Sequence, residues 1–308
     1  MGMIKKKKLI WLAAALSLCV CSSCDKNGQQ EEIEPSAPKA IPINISTTVT
    51  GIDGTRATDY AFEAGDKIGL FVVNNNADGT SGTLMAQGNH VDNMRFTYSG
   101  TWTPDEQIYW KDETTRADFY LYYPYTTSVA SVSAMPFSTM ADQSSLSAYK
   151  ASDLLVGITK GIAPTEAAVG ITASHVMSQM QITLVAGNGF TEESLAKADV
   201  SVKINGIKTQ STVNLATKAV TPAGTATGIT PLKEDGSYKA LIVPQSVAEG
   251  NLITVTVDGR DYNLKKAFTF ESGKRHKFTV TLSKTSNGIN VTIDQWEDDG
   301  TDNGGTAE

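Results

Sequence analysis

The chain is predicted to be all-β, built of antiparallel β-sandwiches, and three observations carry that prediction. Short runs with apolar or β-branched residues at alternate positions recur along its length, with Gly, Pro, Asn or Asp between them. Almost nowhere do apolar residues repeat at the spacing of an amphipathic helix. Charged residues are only 19% of the chain while Thr, Ser, Val and Ala are abundant, which favours strands over helices. With 308 residues there is enough chain for two sandwich-sized domains in tandem.

The elements follow in order. Lys5–Lys8 precede the apolar run Leu9–Val20, a basic segment and then a hydrophobic one, which is the layout of an export signal. The run is too short for a bilayer-spanning helix, which needs about 20 apolar residues. It ends in Val20-Cys21-Ser22-Ser23-Cys24, which resembles the lipobox of bacterial lipoproteins. There a cysteine thiol is acylated and begins the mature chain. Cys24 is the expected acceptor, because two serines precede it while Cys21 and Cys19 follow the bulkier Val20 and Leu18. Cys21 stands at the position where a branched aliphatic residue is usual, so ordinary secretory cleavage to a soluble protein is the competing expectation. Residues 1–23 thus read as the leader. Residues 24–40, acidic and proline-containing, read as a flexible tether, whose acidic residues also resemble a surface-export signal.

Residues 41–168 are expected to form the first sandwich. Ile43, Ile45, Thr47 and Val49 alternate with Asn44, Ser46 and Thr48 in a first strand. The turn-rich loop Gly51–Thr58 follows, carrying the single basic residue Arg56 at a point accessible to a trypsin-like protease. Ile68–Val73, Val91–Tyr98 and the aromatic Ala117–Tyr125 are further strands, with Ile108-Tyr109-Trp110 between the last two. Aromatic strands inside a domain are usually core. The sharper possibility is a sugar-stacking platform made from Trp102, Trp110 and Tyr122. Residues 126–150 read mostly as loop, Asp153–Thr159 as a strand, and Gly161–Gly170 as an interdomain linker.

Residues 169–297 are expected to form the second sandwich. Its strands are read at residues 174–185, 200–207, 211–215, 238–244, 252–257, 260–264, 277–282 and 289–293. Asp258-Gly259 is the residue pair favoured in a two-residue hairpin turn. Residues 298–308 are a polar, acidic tail.

Charge and residue types narrow the function classes. The formal net charge is −7. Loss of the leader removes four lysines and no acids, which takes Lys+Arg from 26 to 22 against 33 acids and the charge to −11. An acidic surface argues against nucleic acid as a partner. Cysteines occur only at positions 19, 21 and 24, so neither a disulfide nor a thiolate metal site is available to the folded part. His90, His175 and His276 lack acids or cysteines at ligand spacing, and Asp298, Asp299 and Asp302 do not match a calcium loop. No nucleophile elbow or phosphate loop occurs. No catalytic role, cofactor or metal is therefore expected.

A set of local patterns, in order along the chain, resembles the fimbrillin family, the subunits of type V pili. They include Thr55-Arg56-Ala57, Phe62-x-x-Gly65-Asp66-x-Ile68-Gly69-Leu70-Phe71, Ala117-Asp118-Phe119-Tyr120-x-Tyr122-Tyr123-Pro124, Ser174-His175-x-Met177-Ser178 and Phe270-x-x-Gly273-Lys274-x-His276. The resemblance implies two transthyretin-like sandwiches, lipoprotein export to the outer membrane, and other pilus subunits as partners. It implies a cut after Arg56 that discards the first strand and opens a groove, which a neighbour's strand fills. Ile289, Val291, Ile293 and Trp296 mark the candidate donor region, although the tail beyond them is short and polar. The alternative is a surface lipoprotein that binds a host glycan or protein as an adhesin.

Overall fold

A computed structural model describes residues 40–50, 61–284 and the backbone of 305–307. The N-terminal half contributes β1 (Ile45–Thr50), β2 (Lys67–Asn74), β3 (Val91–Tyr98), β4 (Trp102–Pro104), β5 (Ala117–Tyr123), β6 (Met135–Ser138), helix α1 (Leu146–Ala151), β7 (Leu155–Ile162) and β8 (Val169–His175). Seven of these strands form one sheet in the order β1-β8-β7-β5-β2-β3-β4. Its two ends meet, because Trp102 of β4 donates its indole N–H to Thr47 Oγ1 of β1 at 2.9 Å. The curled sheet, open between β1 and β4, wraps a core of Ile43, Ile68, Leu70, Phe96, Phe119, Leu121 and Ile171.

The C-terminal half adds β9 (Ser178–Ala186), helix α2 (Glu192–Lys197), β10 (Val200–Val213), β11 (Val220–Ile229), β12 (Leu232–Glu234), β13 (Ser237–Ile242), β14 (Gln245–Val247), β15 (Asn251–Val257), β16 (Arg260–Lys265), β17 (Phe268–Phe270), β18 (Arg275–Leu282) and β19 (Gly305–Ala307). The sheets β11-β10-β15-β16 and β12-β13-β9-β18-β19 face one another. Met180, Ile204, Ile242, Val255 and Phe278 fill the space between them. The chain is thus all-β and sandwich-forming, as predicted. Most pairings are antiparallel, but β1–β8, β9–β18 and β18–β19 are parallel.

Two joins are tighter than the periodicity suggests. The expected linker 161–170 is the connection between β7 and β8, which pair antiparallel, so the first sheet runs past residue 168. β6, in a stretch read as loop, pairs with β10 of the other half. A third apolar cluster then joins Phe71, Tyr120 and Tyr122 to Val213, Leu215, Leu241 and Val243. Residues of both halves share that core, and Pro38–Glu308 behaves as one compact unit. Local chemistry holds elsewhere: Asp258 (φ 49°) and Gly259 (φ 80°) form the predicted hairpin turn between β15 and β16. Among the described residues, no helix is long and apolar enough to cross a membrane.

Candidate functional site

The segment Ile41–Thr50 is bound differently along its length. Its first part pairs with residues 108–110: Ile43 N donates to Ile108 O and Trp110 N to Ile41 O, both at 2.9 Å. Its second part, β1, runs parallel to β8 in the register Ile45↔Val169 through Thr50↔Ser174. Among the described residues, no strand pairs with the other side of β1, which is the edge of its sheet. The alternation read from sequence is visible in its burial. Ile43 is 1% exposed and Ile45 6%, while Ser46, Thr48 and Thr50 face outward. On that outer face Thr48 Oγ1 and Thr172 Oγ1 lie 3.2 Å apart. Lifting the segment away would uncover the core beneath it and leave the Trp102 indole N–H without its acceptor.

At the C-terminal end of β1 the two halves enclose a cavity of about 360 Å³. Thr50, Ser174 and His175 line one wall, Lys218, Gly273, Lys274 and Arg275 another, and Tyr149, Met177 and Leu241 supply apolar surface. His175 Nδ1 lies 2.9 Å from the Asp153 carboxylate. Lys218 Nζ donates to Ser174 Oγ at 2.8 Å. Burial pulls the Lys218 ammonium below the usual lysine range. Gln179 donates to Tyr149 Oη at 2.5 Å and accepts from the buried Arg275 guanidinium.

A second, smaller hollow lies beside β1 against Val49, Phe62 and Tyr123. Tyr123 Oη donates to Asp66 Oδ1 at 3.0 Å. Burial, with the Asp66 carboxylate beside it, pushes this phenol well above the usual tyrosine range.

The proposed stacking platform is overturned. Trp102, Trp110 and Tyr122 are 9%, 5% and 0% exposed. Trp102 packs edge-on against Phe62 with ring centres 4.9 Å apart, and Trp110 against Phe119 at 5.5 Å. Their polar edges are taken inside the protein: Trp110 Nε1 donates to Thr165 O at 3.1 Å and Tyr122 Oη to Asn93 Oδ1 at 2.7 Å. Burial raises the Tyr122 phenol to about 12. The physical reason is that β5 is buried on both faces around Tyr122, while Trp102 and Trp110 belong to the same core cluster as Ile43 and Ile45, so none of the three has a solvent side on which to hold a sugar. Cys24, Arg56, Ile289, Val291, Ile293 and Trp296 lie outside the described residues.

Lys218, Asp153 and Arg275 were not legible as site residues. They are far apart in sequence and come together only where the halves join. A weak signal existed in Lys218, whose left-handed backbone (φ 63°) belongs to a turn held by Lys218 N donating to Asn214 O. Among the described residues, no group of three or more His, Cys, Asp or Glu side chains is placed to hold a metal.

Comparison with known proteins agrees with this fold. Over 309 aligned residues the chain is 26% identical to a Bacteroides uniformis protein named "Putative fimbrium subunit Fim1C", covering 94% of this chain and 95% of that one. Its fold matches that of a "putative cell adhesion protein" of Bacteroides uniformis with a TM-score of 0.60 at 22% identity, over 83% of this chain and 97% of the other. A second such protein, from Bacteroides ovatus, matches with a TM-score of 0.62 at 17% identity, over 85% and 97%. The model of the fimbrillin-like family matches residues 55–296, most of the chain, and the protein therefore belongs to the fimbrillin-like family.

Proposed function

We propose that the chain is a fimbrium subunit, exported as a lipoprotein through Cys24 and assembled by β-strand exchange. A cut after Arg56 frees Ile41–Thr50, and an extended segment of another pilus subunit takes its place. The observation that carries this reading is the edge position of β1, with Ile45 of that strand and Ile43 just ahead of it buried in the core. An equivalent strand would restore the same backbone bonds and refill the same apolar seats. Family membership and the likeness to a protein named as a fimbrium subunit support a place in cell-surface fimbriae. Among the described residues, Val280↔Gly305 to Leu282↔Ala307 pair β19 with β18. The adhesin alternative keeps a host protein as ligand, but has lost its stacking rings.

The test is made on protein recovered from the cell surface. Mass spectrometry is expected to find Ala57 as the first residue of polymerised material. An Arg56→Ala variant is expected to stay monomeric with an acylated N-terminus. Polymers that retain Cys24 would overturn the reading.

A further inference from the structure

We propose that the cavity where the two halves join is a binding site for a small monocarboxylate, and that Lys218 holds the carboxylate. The inference stands apart from strand exchange, since the cavity is already formed in the uncut chain.

The walls are built by local chemistry on both sides of the join between β8 and β9. Ser272 Oγ donates to Val176 O at 2.9 Å and Gly273 N to Met177 O at 3.0 Å, which pins the turn between β17 and β18 against that join. Gly273 has φ 69°, and a Cβ there would come within 3.0 Å of His175 O, so a glycine lets the turn lie this close. Lys218 reaches in from the turn between β10 and β11, where its N–H donates to Asn214 O at 2.8 Å. Walls fixed in advance lower the cost of ordering a ligand. Thr50, Ser272 and Lys274 are exposed at the rim, so the cavity is reached from solvent. Its volume of about 360 Å³ falls at the small end of ligand pockets, which run about 300–1,000 Å³.

The charge balance gives the ligand its sign. Lys218 is half-buried, and no carboxylate of the described residues lies within 4.0 Å of its ammonium. Its Nζ donates to Ser174 Oγ at 2.8 Å, a neutral partner. Burial lowers its pKa, and no neighbouring acid lifts it back. A cation drawn from water is normally matched by an opposite charge. Among the described residues lining the cavity, Asp153 is the only carboxylate, and it lies 2.9 Å from His175 Nδ1. Lys274 and Arg275 add positive charge to the same walls, in a chain whose formal charge is −7. Such a cavity draws anions.

The kind of anion follows from the donors. Lys218 offers a point charge, which suits one negative charge. The guanidinium fork that suits phosphate belongs to Arg275, which is buried and bonded to Gln179. Tyr149, Met177 and Leu241 give the cavity an apolar side, so the body behind the carboxylate has an apolar flank. A sugar acid and an aromatic acid both meet that description, and the test separates them.

The experiment uses the intact full chain with isotopically labelled methionine methyl groups. Met177 is 1% exposed and lines the cavity, and a Met177→Leu variant identifies its signal. The probes are glucuronate with its neutral amide, and benzoate with benzamide, titrated at low salt. At least one carboxylate is expected to move the Met177 signal and to bind about tenfold more tightly than its amide, the scale of one charge-assisted hydrogen bond. Which of the two does so names the body of the ligand. The preference is expected to vanish in Lys218→Asn, since Asn tolerates the left-handed backbone, and to persist in Lys218→Arg. Three results would each overturn the proposal: no response to either carboxylate at about 10 mM, the weak end of specific affinity; equal binding of acid and amide; or a preference unchanged in Lys218→Asn. Inorganic phosphate binding more tightly than both carboxylates would overturn it as well. Should Lys218→Asn fail to fold, the comparison of acid with amide on unaltered protein still decides the matter.

Discussion

Separating Ile41–Thr50 from the rest of the chain is the perturbation with the most to reveal. Ile43 and Ile45 are almost fully buried. Burying one such side chain stabilises by about 1.5–3 kcal/mol, so the pair contributes about 3–6 kcal/mol. The Trp102 indole N–H would lose Thr47 Oγ1, and an unsatisfied buried donor costs about 1–3 kcal/mol. The sum is comparable with the whole stability of an ordinary domain, about 5–15 kcal/mol. Two consequences follow for protein cut after Arg56. The nicked chain should hold its first strand in buffer, because those contacts do not depend on the peptide link. In urea the strand should leave before the rest unfolds, and the emission of Trp102 and Trp110 should move to the red as water reaches them. The strand-free protein should then melt well below the intact one, and added Ile41–Thr50 peptide should restore it. An Ile43→Ala chain should lose about 2–5 kcal/mol in equilibrium urea unfolding without any cut. The reasoning fails if strand-free protein melts at the midpoint of the intact chain, or if the strand separates on simple dilution.

Three further outcomes are expected. Gly69→Ala would drive a methyl group into the buried Tyr122 ring and lower stability by about 1–3 kcal/mol, read from a thermal melt. Gln143 is fully buried, and its amide both donates to Leu241 O and accepts from Leu241 N at 2.8 Å, so Gln143→Ala should cost about 2–4 kcal/mol in urea unfolding. His276 is buried with Nε2 accepting from Glu271 N at 3.2 Å, and burial pulls its pKa below the usual 6.5. The unfolded chain therefore binds the extra proton first: stability should be full above about pH 6.5 and fall as the pH drops toward the folded pKa. Denaturant midpoints between pH 7.5 and 5 should show a shallower decline in His276→Gln.

The legibility of the fold varied with burial. β2, β5 and β15 were plain in sequence because one or both faces are buried and their residues are uniformly apolar or alternating. β11 was not, since Val220–Ile229 is largely exposed and rich in Thr, Ala and Gly, and its pairing with β10 supplies the order. Residues 200–207 and 211–215 read as two strands, whereas β10 is a single strand bent by register shifts, with Gly206 at φ 74°. Irregularities of that kind interrupt the alternation without ending the ladder. Helices α1 and α2 are six residues each, too short to express a helical period.

What the sequence by itself determined is what neighbouring residues settle: the all-β class, the alternation that buries Ile43 and Ile45, the Asp258-Gly259 hairpin turn, and the fimbrillin likeness carried by ordered local patterns. Only the tertiary structure decided that Trp102, Trp110 and Tyr122 are core. Whether a ring faces water depends on what covers its strand, and that cover comes from distant parts of the chain. The parallel seat of β1 on β8 and the meeting of Lys218, Ser174 and Thr50 are of the same kind, since strand pairing between remote segments sets them and no local spacing records it.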